Sequence, residues 1–163
     1  MSRRPKRRSI VIAALSVTLF VLLAPPALAS PLGRSAVRSH RLEVGGDSWK
    51  LFKATNASRA KFDVSKLQLN RELSVIARHH SMAMARKGEL FHTADVDVYL
   101  DGIDWQTWGE NVGFTPQDVP DMQQAFMDSP PHRSNILNPA FHQVAIGSVR
   151  VDGTLWVTVF FYG

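Results

Sequence analysis

The segment Ser129-Pro130-Pro131-His132-Arg133-Ser134-Asn135-Ile136-Leu137 sets an imidazole directly behind two prolines. Proline holds φ at about −65° and restricts the residue before it. His132 is therefore aimed by the backbone. An imidazole fixed in this way suits proton transfer or metal ligation near neutral pH. The chain holds six histidines and no cysteine, which excludes thiol catalysis and cysteine-ligated metal. The HExxH pair of helix-borne zinc ligands does not occur. Around His132 the expected roles are structural: Asn135 satisfies loop backbone groups, Arg133 pairs with a nearby carboxylate, and Ile136, Leu137 and Phe141 are core.

The elements that must position such groups can be read from periodicity. Trp49 and Phe52 lie one turn apart with Leu51 beside them, which predicts a helix from Asp47, with Asp47 as its N-cap. Leu69, Leu73, Ile76, Ala77, His80 and Met84 share one stripe, predicting a helix from Asn70 to Lys87 closed by Gly88. His80 falls on that stripe and His79 off it, so His80 is expected to be a packed, hydrogen-bonded core histidine. Asn56-Ala57-Ser58 matches a glycosylation sequon that the helix makes a chance match. Residues 93–107 read as an irregular acidic connector whose spacing fails the calcium-loop pattern, and TWGENVGF as a short strand. A further helix covers 118–128 with Val119, Met122 and Phe126 on one face. Asp152-Gly153 between two β-branched runs predicts a terminal hairpin. If Val151 pairs with Thr154, Val149 and Trp156 share one face, while Leu155, Val157 and Val159 take the other. Both sheet faces are apolar, and the class is α+β.

The first 29 residues read as a secretory signal peptide. Arg3, Arg4, Lys6, Arg7 and Arg8 precede an apolar run from Ile10 to Leu23, and Ala27-Leu28-Ala29 supplies the cleavage pattern. That run is short for a membrane span, and Arg7-Arg8 is compatible with either general or twin-arginine export. The whole chain carries 19 Lys+Arg against 14 Asp+Glu, but cleavage removes five basic groups and no acidic one. The mature chain is thus neutral, which argues against nucleic acid as a partner. The expected organisation is a leader over 1–29, a lead-in over 30–46 and one domain over 47–163, secreted, monomeric and without a membrane span.

The ordered blocks ARHHSMAMARKGELFH, WGENVG, FMDSPPHRSNILNPAFHQVAIGSV and DGTLWVTVFF resemble the CAP superfamily, named for cysteine-rich secretory proteins, antigen 5 and pathogenesis-related proteins. The likeness is to a short, cysteine-free bacterial form. The resemblance implies a three-layer α/β/α sandwich around a small central antiparallel sheet. It also implies a cleft carrying His92, the GEN acid Glu110 and His132. A second acid belongs on the helix before His132, but Ser129 stands there, with Asp121 and Asp128 the nearest carboxylates. A set of two histidines and one acid follows.

Two imidazoles and a carboxylate can form a divalent-metal site, with zinc as the candidate and His92 and His132 as ligands. Glu110 then either ligates or orients one imidazole. The same three residues can instead form a buried hydrogen-bonded network that pins three segments. The leading function is non-catalytic binding of a small-molecule, lipid or protein ligand in the cleft. The alternative is a protease-like hydrolase, with His92 or His132 as general base and Glu110 orienting it.

Overall fold

The computed structural model describes residues 45–163. The leader and most of the lead-in lie outside the described residues. The elements run α1 (Gly46–Lys61), β1 (Gln68–Leu69), α2 (Arg71–Lys87), α3 (Val96–Tyr99), β2 (Trp108–Thr115), α4 (Val119–Asp128), α5 (Pro130–Leu137), β3 (Gln143–Val151) and β4 (Thr154–Tyr162). The strands form one sheet in the order β1-β3-β4-β2. β3 and β4 make the terminal hairpin in the predicted register, with Val151 opposite Thr154 and Val149 opposite Trp156. Its turn residues Asp152 and Gly153 have φ of 47° and 78°, the two positive angles that a two-residue hairpin turn requires. β2 runs antiparallel to β4 along eight residue pairs from Trp108↔Tyr162 to Thr115↔Leu155. The two-residue β1 adds a parallel edge beside β3, a pairing too short to carry a periodic signal.

Helices cover both faces. Leu51 from α1, Met122 and Phe126 from α4 and Ile136 from α5 pack against Val144, Ile146, Leu155, Val157, Val159 and Phe161. On the other face Leu73 of α2, with Val96 and Leu100, meets Ala145, Phe160 and Tyr162. Met84 meets Val112, Val149 and Trp156 on that same face. Each large apolar side chain fully buried in this way stabilises the fold by roughly 1.5–3 kcal/mol relative to exposure. This is the expected three-layer sandwich.

α2 lies very close to the sheet because of one glycine. A Cβ on Gly147 would stand 2.0 Å from the backbone nitrogen of Arg78, so only hydrogen fits between helix and strand. The helix begins as its sequence predicts. Asn70 Oδ1 accepts from the Leu73 N–H at 3.0 Å, and Gly88 closes the helix with φ of 66°. α1 departs from expectation. It starts at Gly46 after Gly45, and Asp47 bonds Arg150 at 2.8 Å instead of capping. Arg150 also reaches Asp118 at 2.8 Å, so the carboxylate that could have capped α1 ties it to the hairpin and to α4.

Pro130–Leu137, where Asn135 was expected to satisfy loop backbone groups, is a helix with Ser129 as its N-cap. Pro130 and Pro131 occupy its first two positions, where the missing N–H is no loss and the fixed φ already matches a helix. Behind it, Arg59 is 0% exposed. It donates to Ser65 O at 2.6 Å, Ile136 O at 2.8 Å, Asn138 O at 2.9 Å and Phe141 O at 3.0 Å. One guanidinium on α1 thus satisfies the carbonyls that α5 leaves at its C-terminal end. Asn56 is equally committed, its amide paired with both N–H and C=O of Leu67, which makes the sequon a structural asparagine.

Candidate functional site

β2 is an edge strand, and its alternation divides the site between the two sheet faces. Glu110 lies opposite Phe160 on the α2 side, and Asn111 lies opposite Val159 on the α5 side. Glu110 is 6% exposed, and its carboxylate is surrounded by donors. His92 Nδ1 lies 2.6 Å from Oε2, the Thr93 N–H 3.0 Å from Oε2 and the Thr93 hydroxyl 2.7 Å from Oε1. An ionised carboxylate only accepts, so His92 Nδ1 carries the proton. In neutral His92, Nε2 is then a lone pair. The bond to Glu110 holds the His92 pKa above its ordinary value of 6.5, against the opposing effect of burial.

His132 arrives from the opposite face. Asn111, next to Glu110, donates to the His132 carbonyl at 3.0 Å. Asn135, one turn further along α5, donates to Glu110 O at 3.2 Å and to Asn111 Oδ1 at 2.8 Å. Two asparagines therefore lock α5 to the strand carrying Glu110. The His132 ring packs on Phe126 at 5.1 Å between centroids, and its Nδ1 lies 2.8 Å from Ser129 Oγ. Burial first, and the charge of His92 second, hold its pKa below 6.5. No hydrogen bond joins the two rings. In each, Nδ1 is engaged by the protein and Nε2 has no hydrogen-bond partner among the described residues.

His80 is a neighbour that periodicity places in the core. It is 7% exposed, with Nδ1 3.0 Å from Thr158 Oγ1 and 4.0 Å from Glu110 Oε1. Its ring meets Phe91 edge-on at 5.0 Å. Its Nε2 is the one buried side-chain polar atom without a partner among the described residues. Burial lowers its pKa, against the pull of the Glu110 carboxylate. The helical stripe could flag His80 as inward-facing, but not that Glu110 would lie beside it. Thr93 has no sequence signal of its own although it directly follows His92; Asn111 carries one only as part of the GEN motif, and Ser129 only as the residue standing where the second acid belongs.

Other expectations are revised. Among the described residues Arg133 pairs with no carboxylate. Its guanidinium lies 4.6 Å from the centre of the Phe62 ring. Asp121 belongs to the N-terminal capping of α4, accepting from Asp118 N–H at 3.4 Å, and Asp128 accepts from Gln124 at 2.8 Å, so neither is the second acid. His142 is exposed. A separate groove of about 450 Å³ lies between α1 and α4, lined in part by Lys50, Lys53, Lys61 and Met127. None of His92, Glu110 and His132 lines it.

The donors fit zinc only in part. Glu110 accepts three protein hydrogen bonds and orients His92 through one of them, which makes the two imidazole nitrogens the ligand candidates. Among the described residues, no three His, Asp or Glu side chains are disposed to hold a metal together. A zinc ion here would rest on His92 and His132 with water completing its shell, and would supply a Lewis-acidic point of attachment. Stable structural sites use four protein ligands.

The family model described as the cysteine-rich secretory protein family, CAP, matches residues 52–161. An uncharacterized Bacillus subtilis protein, YkwD, is 33% identical over 117 residues, covering 68% of this chain and 45% of that protein. The crystal structure of an extracellular SCP-domain protein from Bacillus anthracis matches with a TM-score of 0.63 at 23% identity, over 71% of this chain and 40% of its own. A cysteine-rich secretory protein from Staphylococcus aureus matches with a TM-score of 0.60 at 25% identity, over 71% and 38%. The chain spans less than half the length of these three relatives. With the family model covering the sandwich from α1 to the last strand, the chain belongs to the cysteine-rich secretory protein (CAP) family, in a form that contains no cysteine.

Proposed function

We propose that this chain is a secreted binding module, not a catalyst, which takes a ligand or partner at the β2 edge between His92 and His132. The observation that carries this reading is that Glu110 holds His92 while no nucleophile is bonded to His92 Nε2 among the described residues. Three donors from His92 and Thr93 hold the Glu110 carboxylate, so it anchors the His92 ring. The same bond would orient a general base; what favours binding is that no hydroxyl is hydrogen-bonded to His92 Nε2 among the described residues. What remains open is two Nε2 atoms on opposite sides of a sheet edge, a hydrogen-bonding or weak divalent-ion site. The ligand class is a small molecule, lipid or protein segment with a polar group to meet the rings. Secretion rests on the leader over 1–29 and on the extracellular character of the B. anthracis structural neighbour.

One contact favours hydrolysis: Ser129 Oγ lies 2.8 Å from His132 Nδ1, a serine–histidine pair. Acyl transfer also needs N–H donors for the developing oxyanion. Beside Ser129 those positions are Pro130 and Pro131, which have no N–H. Binding is therefore the better account.

The test is zinc content and thermal shift of the mature domain, for wild type and His92→Ala/His132→Ala. The expected result is micromolar or weaker zinc binding, lost in the double variant. Wild type that neither retains zinc nor shifts with it would remove the metal component. Turnover of casein or simple esters that Glu110→Gln abolishes would establish the hydrolase instead.

A further inference from the structure

α1 turns a row of lysines away from the sheet. Leu51, Thr55 and Arg59 are its buried side, while Lys50, Lys53 and Lys61 are exposed and line the groove of about 450 Å³ between α1 and α4. At about 3.6 residues per turn the three share one stripe of the helix. The rest of the lining includes the apolar side chains of Ala57, Val119 and Met127. Thr55 donates to Gln123 Oε1 at 3.2 Å, and Gln123 Nε2 donates to Ser58 Oγ at 3.0 Å. These bonds clasp α1 to α4, so the groove is preformed.

Lys50 is tied to Asp47 at 3.3 Å. Lys53 and Lys61 join no ion pair among the described residues. The charge is local to this face, because the chain after residue 29 balances at zero. Like charges one turn apart on a helix repel, and an anionic partner relieves that repulsion. A single carboxylate can meet only one end of the row. From Lys50 to Lys61 is about 16 Å along the helix axis, so a complementary partner carries several acids spaced along an apolar ridge. A polypeptide has that chemistry, and a single-headed amphiphile does not.

We propose that the α1–α4 groove docks an acidic amphipathic helix of another protein. Its apolar stripe lies on Ala57, Val119 and Met127, and its carboxylates, spaced by whole turns, meet Lys53 and Lys61. This surface is separate from the β2 edge and does not depend on the ligand taken there.

The experiment is a 1H–15N NMR titration of the mature chain with a synthetic helical peptide that carries leucines on one face and glutamates flanking them at whole-turn spacing. The comparison ligands are the same residues in scrambled order and sodium laurate. The amphipathic peptide should move the backbone signals of Lys53, Ala57, Lys61 and Met127. Lys53→Glu/Lys61→Glu should weaken its binding about tenfold, the scale of two exposed ion pairs turned repulsive, with an unchanged thermal midpoint. A peptide with lysines in place of the glutamates should bind that variant more tightly than wild type. Groove signals that stay unmoved at millimolar peptide would overturn the proposal. So would equal affinity for the scrambled order, because charge alone would then be acting. Groove shifts with laurate and none with the peptide would also overturn it, because the site would then take a small amphiphile.

Discussion

Glu110 shows how one side chain can decide the chemistry around it. Its three donors come from two consecutive residues, His92 and Thr93, so it fixes both a ring and the backbone carrying it. Glu110→Gln keeps the shape but turns an amide NH2 against groups that are themselves donors. The expected cost is about 2–3 kcal/mol in urea unfolding, the loss of charge-assisted bonds plus stranded buried donors. A change under about 0.5 kcal/mol would show that the carboxylate is not an anchor. The three histidines also give stability a pH signature. The raised pKa of His92 contributes stability that is full below 6.5 and lost as pH climbs through the folded-state value. The lowered values of His80 and His132 contribute stability present above 6.5 and lost as pH falls. The thermal midpoint should therefore fall on both sides of about 6.5, and His92→Gln should flatten only the alkaline side. An alkaline slope unchanged in His92→Gln contradicts the assignment.

At the scale of elements, α5 is placed by neighbours more than by its own packing. Ile136 is its one fully buried apolar residue. Arg59 holds its C-terminal carbonyls, and Asn111 and Asn135 tie it to β2. Arg59→Met should cost about 3–5 kcal/mol, because four carbonyls, two of them in buried bonds, lose a charged donor. It should also broaden the His132 resonances as α5 loosens. Arg59→Lys recovers only part, since an ammonium cannot match the planar fork. Stability within 1 kcal/mol of wild type on the scale of ordinary surface substitutions would show that water replaces the guanidinium at little cost.

For the whole molecule, the neutral balance of the chain after residue 29 and the leader proposed for residues 1–29 lead to one measurement. Culture medium of an expressing bacterium should contain a monomer that begins at Ser30 and is not retained on a polyanion column. Full-length chain confined to the membrane fraction would contradict cleavage. No helix among the described residues is long and apolar enough to cross a membrane.

What the sequence determined by itself was local. The 3.6-residue stripe and the Asn70 and Gly88 caps defined α2, the Asp-Gly turn set the hairpin register, and the ordered motifs pointed to the family. These signals lie within one element, where sequence spacing equals spatial spacing. The helical state of 129–137 was missed because two prolines suggest a loop until they are seen to occupy a helix's first turn. The Ser129–His132 contact, three residues apart, is local and was missed with the helix. Tertiary structure alone decided that Glu110 is bound to His92 and Thr93 and that His80 lies beside the same carboxylate. Those contacts cross the sheet edge or join separate segments, and their bonding partners depend on how the layers close over β2. No periodicity along the chain encodes that distance.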